Sequence, residues 1–189
     1  MSISNDVYIF VAALERLEDG ESAKFKRNAG QTLNDSRDVM GLFYNKLLRD
    51  MQVKEWDEET YFLVATLYPF DKRRAPHQET AETNQAPGEE AELAKEKRRP
   101  SFGVSLRGVR SEKNGNGLDR RVERLLDADV HQLPFYLRRE VQFVTNEGGH
   151  INWPHLLDDL LKWGHPDRYV QRNWARDYFT YQPAKEPAN

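Results

Sequence analysis

The chain has 189 residues, a formal net charge of −3 and no cysteine, and 31 % of its residues are charged. This length fits one domain, or two small lobes that share a core, and excludes two large independent domains. The lack of cysteine excludes disulfides and thiolate metal sites, and no apolar run reaches the roughly 20 residues of a membrane span. Because the first 20 residues are acidic and lack the basic start of a signal peptide, we expect a cytoplasmic protein.

Apolar residues at helical spacing dominate the first half of the chain. Val7, Phe10 and Leu14 recur three and four residues apart and predict a first helix, which Gly20 is expected to end. A second helix is predicted over residues 22–27, and a third around Val39 and its apolar partners at helical spacing.

The run 61–68 is apolar on every side, a pattern that fits either a buried helix or a buried strand. Acidic residues at 57–59 favour a helix, because carboxylates are typical of a first helical turn. We expect the four tryptophans to contribute to the core, including Trp56, which precedes this run.

Residues 71–100 contain a single large aliphatic residue, Leu93, among dense mixed charge. Such a segment cannot bury enough apolar surface to offset its ordering entropy. It is predicted to be a flexible loop between an N-terminal helical lobe, residues 1–70, and a C-terminal helical bundle, residues 101–189.

Four glycines between 103 and 117 predict an irregular basic segment over 102–116, with a turn at Gly115-Asn116-Gly117. Four amphipathic helices are predicted to follow, the third opened by Pro154 and the last by Pro166. No alternating strand pattern of comparable length occurs, so the predicted fold class is all-α: two small helical bundles joined by a long flexible loop.

Arginines repeat on the polar faces of these C-terminal helices. On a helical wheel, Arg120 and Arg124 lie opposite Val122 and Leu125, with Arg121 beside them. Guanidinium groups bind phosphates as bidentate, permanently charged forks, so arrays of this kind suit a nucleic-acid backbone. The further candidates are Arg107, Arg110, Arg138, Arg139, Arg168 and Arg172, with Arg176 continuing the spacing of the last two. An ordinary solvated helix face remains the alternative.

A metal site is a weaker hypothesis. His155 and Asp159 are four residues apart on one predicted helix, with His150 and His165 nearby, but their spacing matches no dedicated ligand motif. No serine-nucleophile or phosphate-loop motif occurs. We predict no catalytic residue, no cofactor and no metal ligand.

Several short motifs occur in an order that resembles the CasB family, the small subunit of the type I-E CRISPR surveillance complex Cascade. They are Leu-Glu-Asp-Gly at 17–20, Phe-Gly-Val-Ser-Leu-Arg at 102–107, the segments 120–129 and 137–139, and Trp-Pro through Lys-Trp-Gly at 153–164. The resemblance covers the first helix and nearly all of residues 102–179.

This resemblance implies an all-α subunit without a catalytic site, present as a pair of copies beside the large and backbone subunits. It implies contact with the crRNA–target DNA duplex and stabilisation of the displaced strand. The family's basic positions fall on Arg27, Arg107, Arg120, Arg121 and Arg139. Asp127 replaces an expected basic residue, and His165 replaces an expected lysine. A structural adaptor and, less favoured, a metal-dependent hydrolase are the competing hypotheses.

Overall fold

A computed structural model describes residues 3–71 and 100–180. Within these ranges the chain forms α-helices, short 3₁₀ turns and one π-helical turn, and no strand, which confirms the all-α class. The helices are α1 (Asn5–Glu15), α2 (Asp19–Arg27), α3 (Arg37–Leu42), α4 (Glu58–Leu67), α5 (Phe102–Gly108), α6 (Gly115–Asp127), α7 (Leu133–Asn146), α8 (Trp153–Leu161) and α9 (Tyr169–Thr180). None of the helices in these ranges has the length and apolar character that crossing a bilayer requires.

Helix α1 is the predicted first helix, and its apolar residues Val7, Phe10 and Leu14 are buried. Gly20 does not end it, because α1 stops at Glu15 and Gly20 lies in the first turn of α2. Reciprocal hydrogen bonds between Glu18 and Glu21 form a capping box, which satisfies amide groups at the start of α2. This cap explains how a helix can begin across a glycine.

The predicted third helix is α3 continued by a π-helical turn at Phe43–Leu47. The all-apolar run forms α4, and seven of its residues are buried, as expected for a helix enclosed on all sides. Trp56 is not part of the core: it lies on the 3₁₀ turn Glu55–Asp57 that precedes α4, and it is 76 % exposed.

The segment predicted to be irregular is largely helical. Residues 102–108 form α5, and α6 begins at Gly115, so the predicted turn at 115–117 belongs to a helix. Gly103 marks a close helix contact: a Cβ atom there would lie 2.4 Å from the backbone oxygen of Trp174 in α9. The glycine therefore permits α5 to pack directly on the backbone of α9.

The two halves share one hydrophobic core. Helix α8 packs against α1 and α4, and α4 also contacts α7, so apolar residues from both halves form a single cluster. The boundaries of the two predicted lobes stay a prediction. Residues 72–99, nearly all of the predicted loop, lie outside the described ranges.

Candidate nucleic-acid interface

Helix α6 presents two open guanidinium groups. Arg120 and Arg124 are exposed one turn apart, on the side of the helix opposite the fully buried Val122 and Leu125. Neither arginine side chain has a hydrogen bond or ion pair with any residue that the structure describes. Both side chains are therefore available to a ligand.

Two further arginines border α6. Arg139 on α7 is half-exposed, and its Nε lies 3.9 Å from Glu140 Oε1, the carboxylate that also binds α6. The side chain of Arg107, in the last turn of α5, makes no hydrogen bond within the described ranges, but its charge helps to lower the pKa of Asp119. Arg107 therefore lies near the second turn of α6, and Arg107 and Arg139 reach α6 from the helices that precede and follow it in the chain.

The helical wheel placed Arg121 beside Arg120 and Arg124 on the outer face, but in the structure Arg121 contacts α7. Its Nε and Nη2 donate to the two carboxylate oxygens of Glu140 at 2.9 and 2.5 Å. Its guanidinium also lies over the Phe143 ring, 4.4 Å from the centroid. Arg121 is thus engaged in an ion pair and a cation–π contact that join α6 to α7.

Sequence reasoning did not identify Glu140. It is 1 % exposed, three residues after Leu137 and four before Val144, within the apolar stripe of α7. A carboxylate at a core position is almost always paired, and this placement was the available signal that one neighbouring arginine is structural.

Arg110 is also engaged within the protein. Its Nε and Nη2 donate to the two oxygens of Asp119 at 2.9 and 2.8 Å. The hydroxyl of Tyr178 on α9 donates to Asp119 Oδ1 at 2.6 Å. The Arg110 hydrogen bond is the main cause that lowers the pKa of Asp119 to about 2, and burial is the main cause that raises the pKa of Tyr178. The network connects the α5–α6 segment to α9.

We expect the Asp119→Asn variant to lose about 1–3 kcal/mol of folding free energy at neutral pH, because it weakens two charge-assisted hydrogen bonds. A carboxyl whose pKa falls on folding contributes stability above its ordinary pKa of 3.8, and that stability is lost as the pH falls toward the folded value of about 2. The variant should therefore lose less stability than the wild type between pH 4 and 2.

Denaturant unfolding across this pH range tests the expectation. Glu112→Gln, a substitution at an exposed residue just before α6, is the matched control and should follow the wild-type profile. An Asp119→Asn profile with the full wild-type acid sensitivity would contradict the assignment.

The remaining candidates lie at separate places. Arg138 donates through Nη1 to the carbonyl oxygen of Ala29, at 2.7 Å, and joins α7 to the end of α2. Arg27 is exposed in the last turn of α2, and Arg172 is exposed on α9. Neither side chain has a hydrogen bond or ion pair within the described ranges.

Arg168 does not belong to the predicted stripe on the last helix, because α9 begins at Tyr169 instead of Pro166. Its φ is 48°, a left-handed conformation outside the helix. Its guanidinium donates to the carbonyl oxygen of Leu126 and lies 4.0 Å from the carboxylate of Asp127. Asp127 is the acidic residue at the position where the family resemblance leads us to expect a basic one. Arg168 thus connects the end of α6 to the start of α9.

His155 and Asp159, the pair singled out for a metal site, contact each other on α8. His155 Nε2 lies 3.7 Å from Asp159 Oδ1, and the Trp174 indole donates to Asp159 Oδ2 at 2.6 Å. Burial raises the pKa of Asp159 to about 6. Within the described ranges no group of three or more histidine, aspartate or glutamate side chains is arranged to hold a metal ion. The bond from Trp174 to Asp159 connects α9 to α8.

Comparisons with known proteins agree on one family. The family model of the CRISPR-associated protein Cse2 matches residues 21–179. The CRISPR-associated protein Cse2 of Thermus thermophilus is 48 % identical over 62 residues, which are 33 % of this chain and 35 % of that protein. The chain's sequence match therefore spans about a third of this curated relative.

Two solved structures have the same fold. The crystal structure of CasB from Thermus thermophilus is similar with a TM-score of 0.67 at 26 % identity, covering 93 % of this chain and 98 % of that one. A chain of a CRISPR RNA-guided surveillance complex is similar with a TM-score of 0.69 at 23 % identity, covering 93 % and 94 %. These matches confirm the resemblance carried by the short motifs. Since the family model covers most of the chain, this protein belongs to the Cse2 family of CRISPR-associated proteins.

Proposed function

We propose that this chain is a non-catalytic small subunit of a CRISPR RNA-guided surveillance complex, and that it holds nucleic-acid phosphates on the side formed by α5, α6 and α7. The observation that carries the proposal is the open pair Arg120 and Arg124, bordered by Arg107 and Arg139. Family membership and the fold shared with a surveillance-complex chain support it.

A net charge of −3 does not oppose this role, because phosphate binding depends on the local distribution of charge. Arginine offers a planar fork that pairs with phosphate oxygens, and contacts spaced along a helix follow a backbone without reading its sequence. The ligands we propose are the crRNA, its target DNA duplex and the displaced strand. The protein partners we propose are the large subunit, the backbone subunits and a second copy of this chain.

The ten candidate arginines fall into two groups according to the contacts that their guanidinium groups make within the protein. Counting only contacts among the described residues, six guanidinium groups are not bound to a backbone oxygen or held in a close carboxylate pair, and these are the stronger phosphate ligands in this proposal. They are Arg27, Arg107, Arg120, Arg124, Arg139 and Arg172. Four are committed to internal contacts: Arg110, Arg121, Arg138 and Arg168. For nucleic-acid binding, all ten stay predictions.

The test is Arg120→Ala combined with Arg124→Ala in the assembled complex, with target-DNA binding measured at several salt concentrations. We expect weaker binding to any target sequence. The slope of log affinity against log salt should become shallower by about 0.7–0.9 for each phosphate that the variant no longer binds. Lysine at both positions should restore binding in part, because it returns the charge without the bidentate fork.

The matched control is Arg16→Ala combined with Arg49→Ala, two exposed arginines of the N-terminal half that are not among the candidates. This control removes the same net charge but none of the proposed phosphate ligands. Its slope should therefore stay near that of the wild type. Thermal melts verify that each variant is folded. Unchanged slopes in a well-folded Arg120/Arg124 variant would leave the structural adaptor as the better function.

A further inference from the structure

A groove separate from the arginine face runs between the two halves of the molecule. Its volume is about 560 Å³, and it is lined by the loop after α2, the start of α4, the connection from α6 to α7, and the end of α8. Three large apolar residues in its lining are unusually exposed: Trp56 at 76 %, Phe135 at 70 % and Val130 at 52 %.

The two aromatic side chains make few contacts among the residues that the structure describes. Trp56 lies on a 3₁₀ turn, where its ring contacts the ammonium of Lys54 at 5.3 Å from the centroid. Phe135 meets the ring of Tyr136 edge-on, 5.3 Å between centroids. In the part of the chain that the structure describes, both rings are otherwise largely exposed. Clustered exposed apolar side chains beside a concave surface are typical of an interaction site.

The charged residues that line the groove indicate which kind of partner it can bind. Asp57 and Glu59 contribute to its lining, and this lining contains neither lysine nor arginine. Both oxygens of Glu59 accept from the amide of Leu33, at 3.1 and 3.2 Å, so its carboxylate is fixed at the wall. Exposed rings could in principle stack on nucleic-acid bases, but single-strand binding grooves are positively charged. Two carboxylates in the lining outweigh the single ammonium of Lys54 over Trp56, so this charge disfavours phosphates and favours a partner that carries lysine or arginine.

We propose that this groove is a docking site for another protein subunit, which inserts an apolar segment flanked by lysine or arginine. The inference rests on the proposed function for the existence of a complex, and it assigns the side of the chain that binds protein. Trp56 and Phe135 act as aromatic anchors of the kind that dominate interface energetics. Asp57 and Glu59 provide complementary charge at the edge of the contact.

The direct test replaces Phe135 by the photocrosslinking residue p-benzoylphenylalanine in the assembled complex. We expect irradiation to link position 135 to a different protein subunit, at a peptide with apolar and basic residues that mass spectrometry identifies. The matched control carries the same residue at Phe179, which is 49 % exposed on α9 and outside the groove lining. This control should not yield the same crosslink.

A crosslink to crRNA or DNA, a crosslink to a second copy of this chain, or no crosslink at position 135 would each overturn the proposal. A second measurement does not depend on the photocrosslinking residue. Trp56→Ala combined with Phe135→Ala should leave the melting temperature almost unchanged, because both side chains are exposed. The same double variant should weaken incorporation of the chain into the complex at least about tenfold. Unchanged incorporation of the folded double variant would overturn the proposal.

The two proposals fail separately. If the Arg120/Arg124 variant changes the salt slope while the Trp56/Phe135 variant incorporates normally, only the docking site is wrong. If position 135 crosslinks to a subunit while the slope of the Arg120/Arg124 variant is unchanged, the docking site stands and only the phosphate-binding role fails.

Discussion

Replacing Arg121 by alanine is expected to lower the free energy of unfolding by about 3–5 kcal/mol, because it leaves the carboxylate of Glu140 buried without its partner. Glu140 is 1 % exposed, and among the described residues Arg121 supplies both of its close charge-assisted hydrogen bonds. Arg139 lies 3.9 Å away and half in solvent, too far to replace them. The substitution also removes the cation–π interaction with Phe143.

Denaturant unfolding of Arg121→Ala and Arg120→Ala measures this difference on adjacent residues of one helix. Arg120→Ala should change the unfolding free energy by no more than about 0.5 kcal/mol, since its side chain is exposed and unpaired in the described structure. A double variant, Arg121→Met with Glu140→Leu, should recover most of the lost stability, because apolar residues of similar size often replace a buried ion pair without cost. A stable Arg121→Ala protein with a shallower salt slope would instead make Arg121 a phosphate ligand.

Helical periodicity predicted most of the fold because the apolar stripes are local properties of the sequence. The spacing of Val7, Phe10 and Leu14 marks one buried face, and the structure buries it as expected. The glycines were harder to interpret. Gly20 and Gly115 lie inside first helical turns, and Gly103 serves a contact with a residue 71 positions away in the chain, which no local pattern shows.

The candidate interface could be predicted only in part for the same reason. A helical wheel identifies which arginines lie opposite the core, and it placed Arg120 and Arg124 correctly on an exposed face. It does not identify partners on other elements. Arg138 binds the Ala29 carbonyl from 109 residues away, and Arg168 binds the Leu126 carbonyl from 42 residues away.

Trp56 shows a different error, because its burial was inferred from its residue type alone. Tryptophan is buried on average, and three of the four tryptophans in this chain are. The turn before α4 instead directs Trp56 into the groove between the halves. The protein therefore has two surfaces of different chemistry: one that exposes arginines on α6 and an acidic, aromatic one whose exposure the sequence pattern could not reveal.

Gly103→Ala is expected to destabilise the protein by about 3 kcal/mol or more, at the upper end of the cost of overpacking, because the clash is with backbone. The added methyl would lie 2.4 Å from the Trp174 oxygen and 2.9 Å from its Cα, neither of which can rotate away. Helix α5 would have to separate from α9, which weakens the contact between Phe102 and Trp174, whose rings lie 5.2 Å apart.

Separation of α5 from α9 would also displace Arg107, in the last turn of α5, from its position near Asp119. Gly108→Ala is the matched control in the same helix, since a Cβ there meets nothing within 4 Å and the residue has no positive φ. Alanine at 108 should be neutral, or stabilise by about 0.4–1 kcal/mol by restricting the unfolded chain. Melting temperatures of the two variants give the comparison. Equal melting temperatures would mean that α5 and α9 do not make the close backbone contact in solution.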